Sequence, residues 1–136
     1  MPLMTWTNKL SVGVAVLDED HKKLVNLVNE LYDGIKVGQG KESLGKVLDG
    51  LVHYTKLHFA REENLFAETD YAASAAHKQE HDNLAAQVMR LQAQYKSGKV
   101  TTLSLEVMTF LKSWLIDHIQ GSDQKYGPHL NGAGFH

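Results

Sequence analysis

Residues 77–95, HKQEHDNLAAQVMRLQAQY, read as one helix and set the reading of everything around them. His77, His81, Leu84, Ala85, Val88, Leu91 and Tyr95 recur at offsets of three and four, the period of a single helical face. The stripe stops at Lys96-Ser97-Gly98-Lys99, a basic end with a glycine. It is apolar except at its start, where two imidazoles continue the line of leucines. Burying an ionisable group costs several kcal/mol unless something compensates it. A helix patterned this way therefore packs in a bundle and brings a polar centre with it.

Three further stripes flank this one. Asp18-Glu19-Asp20 marks the start of the first helix, with an acidic turn that suits the helix dipole, and His21, Leu24, Val25, Val28, Leu31, Tyr32 and Ile35 form its face up to Gly38-Gln39-Gly40. Leu44, Val47, Leu48, Leu51, Thr55, His58, Glu62 and Leu65 form the second face. Thr101 or Thr102 caps the fourth helix, whose face is Leu103, Val107, Phe110, Leu111, Trp114 and His118. Residues 1–18 carry no helical period and read as an extended N-terminal arm pinned by Trp6, Val12, Val14 and Val16. Gly121 and Gly127-Pro128 interrupt the chain beyond the fourth helix, so residues 127–136 read as a loose C-terminal tail. The expected fold is all-α: an antiparallel up-down four-helix bundle with an N-terminal arm, one domain over residues 1–136.

Composition narrows the chemistry. The chain has no cysteine, so disulfides, thiolate metal sites and cysteine nucleophiles are excluded, and any metal must be held by nitrogen and oxygen. A net charge of −2 with interspersed signs and no basic stripe speaks against nucleic acid as a partner. No apolar run approaches the ~18 residues of a membrane span. The N-terminus lacks the basic and apolar regions of a signal peptide, so no membrane insertion and a cytoplasmic location are expected.

The ionisable residues on the stripes share a level. Near one helix's start lies His21, near the next one's end His58 and Glu62, near a start again His77 and His81, and near an end His118. In an up-down bundle all of these fall at the same end. A lone buried histidine is usually only hydrogen-bonded; four helices each contributing one or more at one level is a different matter. Imidazole and carboxylate suit first-row transition metals, and a carboxylate is able to bridge two. His58/Glu62 and His77/His81 are spaced four apart and share a helical face. His118 and Asp123 are five apart, about 140° out of phase on a regular helix, so Gly121-Ser122 has to widen the turn for Asp123 to point inward. His53, His129 and His136 fall outside the pattern, and Glu63 and Glu80 read as partners of the ligand imidazoles.

Taken together, Asp-Glu-Asp-His21, His58-Phe59-Ala60-Arg61-Glu62-Glu63, His77-Lys78-Gln79-Glu80-His81, and Trp114-Leu115-Ile116-Asp117-His118-Ile119 with Asp123-Gln124-Lys125-Tyr126 resemble the hemerythrin family, in particular its single-domain bacterial kind, the bacteriohemerythrins. The resemblance spans nearly the whole chain. It implies two iron ions joined by an oxo or hydroxo group, with His77, His81 and His118 on one, His21 and His58 on the other, and Glu62 and Asp123 bridging. The first iron then has six donors and the second five, which leaves the second as the place where O2 binds. Phe59, Trp114, Leu115 and Ile119 match the family's O2 pocket, and a dry pocket favours release of O2 unchanged. The implied function is reversible O2 binding for storage, delivery or sensing, by an oxygen-binding protein and not an enzyme, with side oxidase or peroxidase activity and an unidentified protein recipient of O2 left open. The rival is a di-iron enzyme (peroxidase, oxidase or nitric oxide reductase), a class that usually carries more carboxylates. Two departures from the family stand out: Phe66 where methionine is frequent, and no proline within Thr69-Asp70-Tyr71-Ala72-Ala73.

Overall fold

The computed structural model describes residues 4–36, 40–98 and 105–136. A 3₁₀ turn (Asn8–Leu10) precedes α1 (Ala15–Lys36), α2 (Gly40–Thr69), α3 (Ser74–Lys96) and α4 (Leu105–His118); a π-helical turn (Ile119–Asp123) then leads into α5 (Gln124–Gly132). There is no strand among the described residues, and no helix there is long and apolar enough to cross a membrane. α1 packs on α2 and α4, and α2 on α3. α4 is tied to α3 where the Trp114 indole donates to the Leu84 carbonyl at 3.1 Å. The helices run alternately up and down, which places the start of α1, the end of α2, the start of α3 and the end of α4 together.

The stripes face inward as their period requires. Leu24, Val25 and Val28 of α1, Leu48, Leu51 and Phe66 of α2, Val88 of α3, and Leu111 and Leu115 of α4 are all buried. Each large apolar side chain of this kind contributes roughly 1.5–3 kcal/mol on burial. α2 ends in a left-handed residue, Asp70 (φ 53°), and the Tyr71 N–H closes back on the Phe66 carbonyl at 3.1 Å. That bond, with Tyr71 packed on Phe66, makes a Schellman cap without glycine and without the proline the family often uses. α3 ends as its composition suggests, with Lys96 in the last turn and Gly98 at φ 82°.

Three boundaries differ from expectation. α1 begins at Ala15, not at Asp18, because Val14 and Leu17 both need to reach the core and only a helical turn lets them. Asp18 instead turns back to the arm and accepts from the Ser11 hydroxyl at 2.6 Å and the Val12 N–H at 2.8 Å. Within the arm, Val12 and Val14 are buried and Trp6 partly so, whereas Val16 is 45% exposed and pins nothing. The supposed tail is largely helix: α5 runs through Gly127-Pro128 to Gly132, with Tyr126, Gly127 and Leu130 buried. Gly127 acts there by contact, since a Cβ at that position would strike the Val12 carbonyl oxygen. Burial of Tyr126 and Leu130 outweighs the one N–H that Pro128 lacks. The expected first-helix end at Gly38-Gln39, Lys99, and the Thr101 or Thr102 cap with Leu103 lie outside the described residues.

Candidate metal centre

Seven ionisable side chains meet at the shared end of the bundle: His21, His58, Glu62, His77, His81, His118 and Asp123, each buried. They fall into two sets whose donor atoms lie within 4.8 Å of one another. His77, His81 and His118 make one set, His21 and His58 the other, and Glu62 and Asp123 belong to both. The carboxylates divide their oxygens between the sets. Glu62 Oε1 lies 2.9 Å from His81 Nε2 and 3.7 Å from His77 Nε2, while Oε2 lies 3.3 Å from His58 Nε2 and 3.9 Å from His21 Nε2. Asp123 Oδ1 is 2.9 Å from Nε2 of both His77 and His118, and Oδ2 is 2.9 Å from His21 Nε2.

Asp123 reaches this place through the π turn. Its i→i+5 bonding, seen in the Gln124 N–H to Ile119 carbonyl bond, brings residues five apart onto one face. The widened turn foreseen at Gly121-Ser122 is therefore present, and His118 and Asp123 face the same point.

The other ring nitrogens follow a rule along the bundle. His58 Nδ1 is bonded to Asp20 at 2.9 Å, His81 Nδ1 to Glu63 at 3.0 Å, and His118 Nδ1 to Glu80 at 2.6 Å. Each carboxylate sits on the preceding helix, next in sequence to a cluster residue: Asp20 beside His21, Glu63 beside Glu62, Glu80 beside His81. With Nδ1–H donating to a carboxylate, Nε2 carries the lone pair and points into the cluster. Ser122 adds its hydroxyl to Glu80, and Arg61 reaches Asp20 at 3.3 Å.

The donor set fits a metal pair. Nε2 of His21, His58, His77, His81 and His118, together with Glu62 Oε1 and both Asp123 oxygens, is fully buried without a hydrogen-bond partner. Approaches of 2.9 Å that lack hydrogen-bond alignment have another natural reading. Two donors at right angles on an ion, each roughly 2.1 Å from it, lie about 3.0 Å apart. Nitrogen and oxygen donors in this ratio suit first-row transition metals.

Without metal, the cluster is an array of opposite charges. Burial disfavours charge on His58, but Glu62 and the Asp20 hydrogen bond push its pKa up to about 10. Against the same burial, Asp123 and Glu62 raise His77 to about 9, and Asp123 and Glu80 raise His118. Burial would lift the carboxyls of Glu62 and Asp123, and in Asp123 the charge of Glu62 adds to this, yet the surrounding imidazoles hold both below their ordinary range.

Comparison with known proteins agrees with this chemistry. The family described as "Hemerythrin HHE cation binding domain" matches residues 12–130. The chain belongs to the hemerythrin family. A bacteriohemerythrin of Methylococcus capsulatus is 37% identical over 132 residues, covering 96% of this chain and 99% of that protein. One from Stenotrophomonas maltophilia is 34% identical over 135 residues, covering 96% and 86%. The crystal structure of a wild-type hemerythrin superimposes with a TM-score of 0.84 at 36% identity, covering 94% of this chain and 98% of that one. Hemerythrins bind O2 at a di-iron centre, and this chain carries the buried donors for two ions.

The four apolar residues expected at an O2 pocket also come together. Phe59, Trp114, Leu115 and Ile119 line one cavity with His21, His58, His118 and Asp123, about 230 Å³ of space including its open mouth. Phe59 stacks on the His81 ring at 3.7 Å between centroids. His53 and His136 are exposed, and His129 lies outside the cluster with Nε2 2.9 Å from the Thr69 hydroxyl. Two residues escaped the sequence reading. Asp20 looked like a dipole partner, though its place one residue before His21 turns it toward α2. Tyr126, three residues after Asp123 and so on the same helical face, donates its hydroxyl to Glu62 Oε2. Burial and the charges of Glu62 and Asp123 hold the Tyr126 phenol well above its ordinary range.

Proposed function

We propose that this chain binds O2 reversibly, with His77, His81 and His118 on one iron, His21 and His58 on the other, and Glu62 and Asp123 spanning the pair. The observation that carries the assignment is the division of each carboxylate's two oxygens between the two histidine sets. A bound iron pair supplies the electrons that O2 needs for tight, reversible attachment.

The protein's own residues do the rest. Phe59, Trp114, Leu115 and Ile119 form the O2 pocket: their side chains keep water from the cavity, and a dry site slows loss of reduced oxygen species. The cavity touches both histidines of the two-histidine set and one of the three-histidine set, which favours O2 docking on the donor-poor side. Asp20, Glu63 and Glu80 fix the tautomers and ring orientations of His58, His81 and His118. Every ionisable group lining the cavity is one of the seven cluster residues, so no acid or base outside the donor set faces it among the described residues. This supports a carrier over a di-iron enzyme. The role is storage, delivery or sensing of O2 in the cytoplasm, without nucleic acid or membrane insertion, and delivery or sensing calls for a protein recipient.

The test is anaerobic loading with Fe(II), followed by cycles of oxygen and argon with visible spectra and iron content recorded together. Two irons per chain and a charge-transfer band that rises and falls with oxygen are expected. One-way oxidation with release of peroxide would assign the chain to the enzymes instead.

A further inference from the structure

Aromatic rings stand in continuous contact from the metal cluster to the surface, and they are not among the residues lining the O2 pocket. Tyr126 donates its phenolic hydrogen to Glu62 Oε2. Its ring centroid lies 5.3 Å from Phe66 and 5.7 Å from His77, and Phe66 lies 4.9 Å from His77. On its other side Phe66 is 4.9 Å from Tyr71, which packs against His129 at 5.0 Å. Tyr126 and Phe66 are fully buried, and Tyr71 is half-buried at the corner between α2 and α3.

A phenol surrenders one electron near neutral pH only when its proton leaves as well, because the oxidised phenol is a strong acid. Tyr126 meets that condition, since its O–H already points at a carboxylate oxygen. Phenylalanine is far harder to oxidise, so Phe66 is a bridge and not a station. Tyr71 has access to water for its own proton.

We propose that Tyr126 and Tyr71 carry one-electron oxidising equivalents from the metal centre to the protein surface, the oxidant being hydrogen peroxide. The proposal rests on the di-iron reading above. Peroxide takes up two electrons and two protons, breaks its O–O bond and leaves as two waters. With an already oxidised iron pair held by the cluster, Tyr126 would give the first electron and pass its proton to Glu62 Oε2, to which its hydroxyl already donates. Tyr71 then reduces Tyr126 across Phe66, loses its own proton to water, and Glu62 returns the proton to Tyr126. The second electron again comes from Tyr126, whose proton, handed on by Glu62, together with one from solvent that replaces the proton Tyr71 lost, makes up the two that peroxide takes up; one peroxide is thus matched by two neutral tyrosyl radicals. A helix cap and a filled core would account for the same ring contacts, but neither places an unpaired electron on Tyr71.

The experiment uses the full chain loaded anaerobically with Fe(II), its iron content measured, oxidised to the diferric state with ferricyanide that is then removed, and mixed with one equivalent of hydrogen peroxide. One portion is frozen for electron paramagnetic resonance, and another is treated with a nitroso spin trap and mapped by peptide mass spectrometry. A phenoxyl signal and a trap adduct on Tyr71 are expected. Tyr71→Phe should retain a phenoxyl signal that soluble ascorbate no longer quenches, because the remaining radical is buried on Tyr126. Tyr126→Phe should lose the Tyr71 adduct. Should that variant bind less iron, Phe66→Leu keeps both tyrosines, removes the bridging ring, and should likewise lose the adduct. Two irons without a phenoxyl signal would overturn the proposal alone, as would a Tyr71 adduct unchanged by these variants. A chain that binds no iron would overturn the metal reading and the proposal with it.

Discussion

Glu62 has two oxygens and faces two histidine sets, one oxygen to each. Alanine at this position removes both donors at once, and among the described residues Glu62 alone of α2 belongs to both sets. Glu62→Ala should therefore lower loading from two irons per chain to one or none, measured by atomic emission on desalted protein; retention of two would sink the bridging role. Leu115 is buried and lines the cavity proposed for O2 with a carbon surface. Leu115→Asn brings a polar amide that holds water in the cavity, so autoxidation of the oxygenated protein should quicken; an unchanged rate would remove Leu115 from the pocket's function. The cluster residues were legible because spacing of four puts donors on one face and the apolar stripe tells which face is inside. Asp20 and Tyr126 were not legible, because each acts on a residue 38 or 64 positions away, and only tertiary packing sets that distance.

At the scale of elements, the instructive cases are the π turn and α5. A spacing of five between His118 and Asp123 cannot serve a regular helix, so the demand for a shared face was enough to anticipate a widened turn. α5 gave no such signal. Gly127-Pro128 reads locally as a break, and what overrides it is contact with the arm, which has no local trace in sequence. Gly127 packs so closely on the arm that any Cβ would meet the Val12 carbonyl oxygen, a backbone atom that cannot rotate away. Gly127→Ala should thus destabilise the chain by about 1–3 kcal/mol, the usual range for overpacking, although alanine is the better helix former. The midpoint of urea unfolding reads this directly. An unchanged or higher midpoint would show that the arm yields easily and that α5 does not depend on it. Asp18, read as a helix start, is likewise explained by the arm, which it fastens through Ser11 and Val12.

Across the whole molecule, the metal centre stores a conflict between protons and metal that sets how stability varies with pH. In the metal-free chain His58 and His77 have pKa values raised to about 10 and about 9, while Glu62 and Asp123 lie below their ordinary values. A raised histidine contributes stability that is complete below its unfolded value of about 6.5 and fades as pH climbs through the folded one. A lowered carboxyl contributes stability that is complete above about 4.5 and fades as pH falls. Both contributions are whole only between these limits, so the metal-free chain should be most stable near pH 4.5–6.5. Metal binding runs the other way, since Nε2 must be free of its proton to act as a donor. Displacing one proton each from His58 and His77 makes the apparent affinity for the pair of ions rise by about 2.7 kcal/mol, roughly a hundredfold, for each unit the pH rises while it lies below their pKa values. The rise in melting temperature on anaerobic loading with Fe(II) should accordingly be small at pH 5.5 and large at pH 8, with the metal-free chain moving in the opposite sense over the same range. Calorimetric loading in buffers of different ionisation enthalpy counts the released protons independently. A metal-induced stabilisation that does not vary between pH 5.5 and 8, with no protons released, would mean that His58 and His77 are neutral before the metal arrives, and that the cluster is not held as an array of ion pairs.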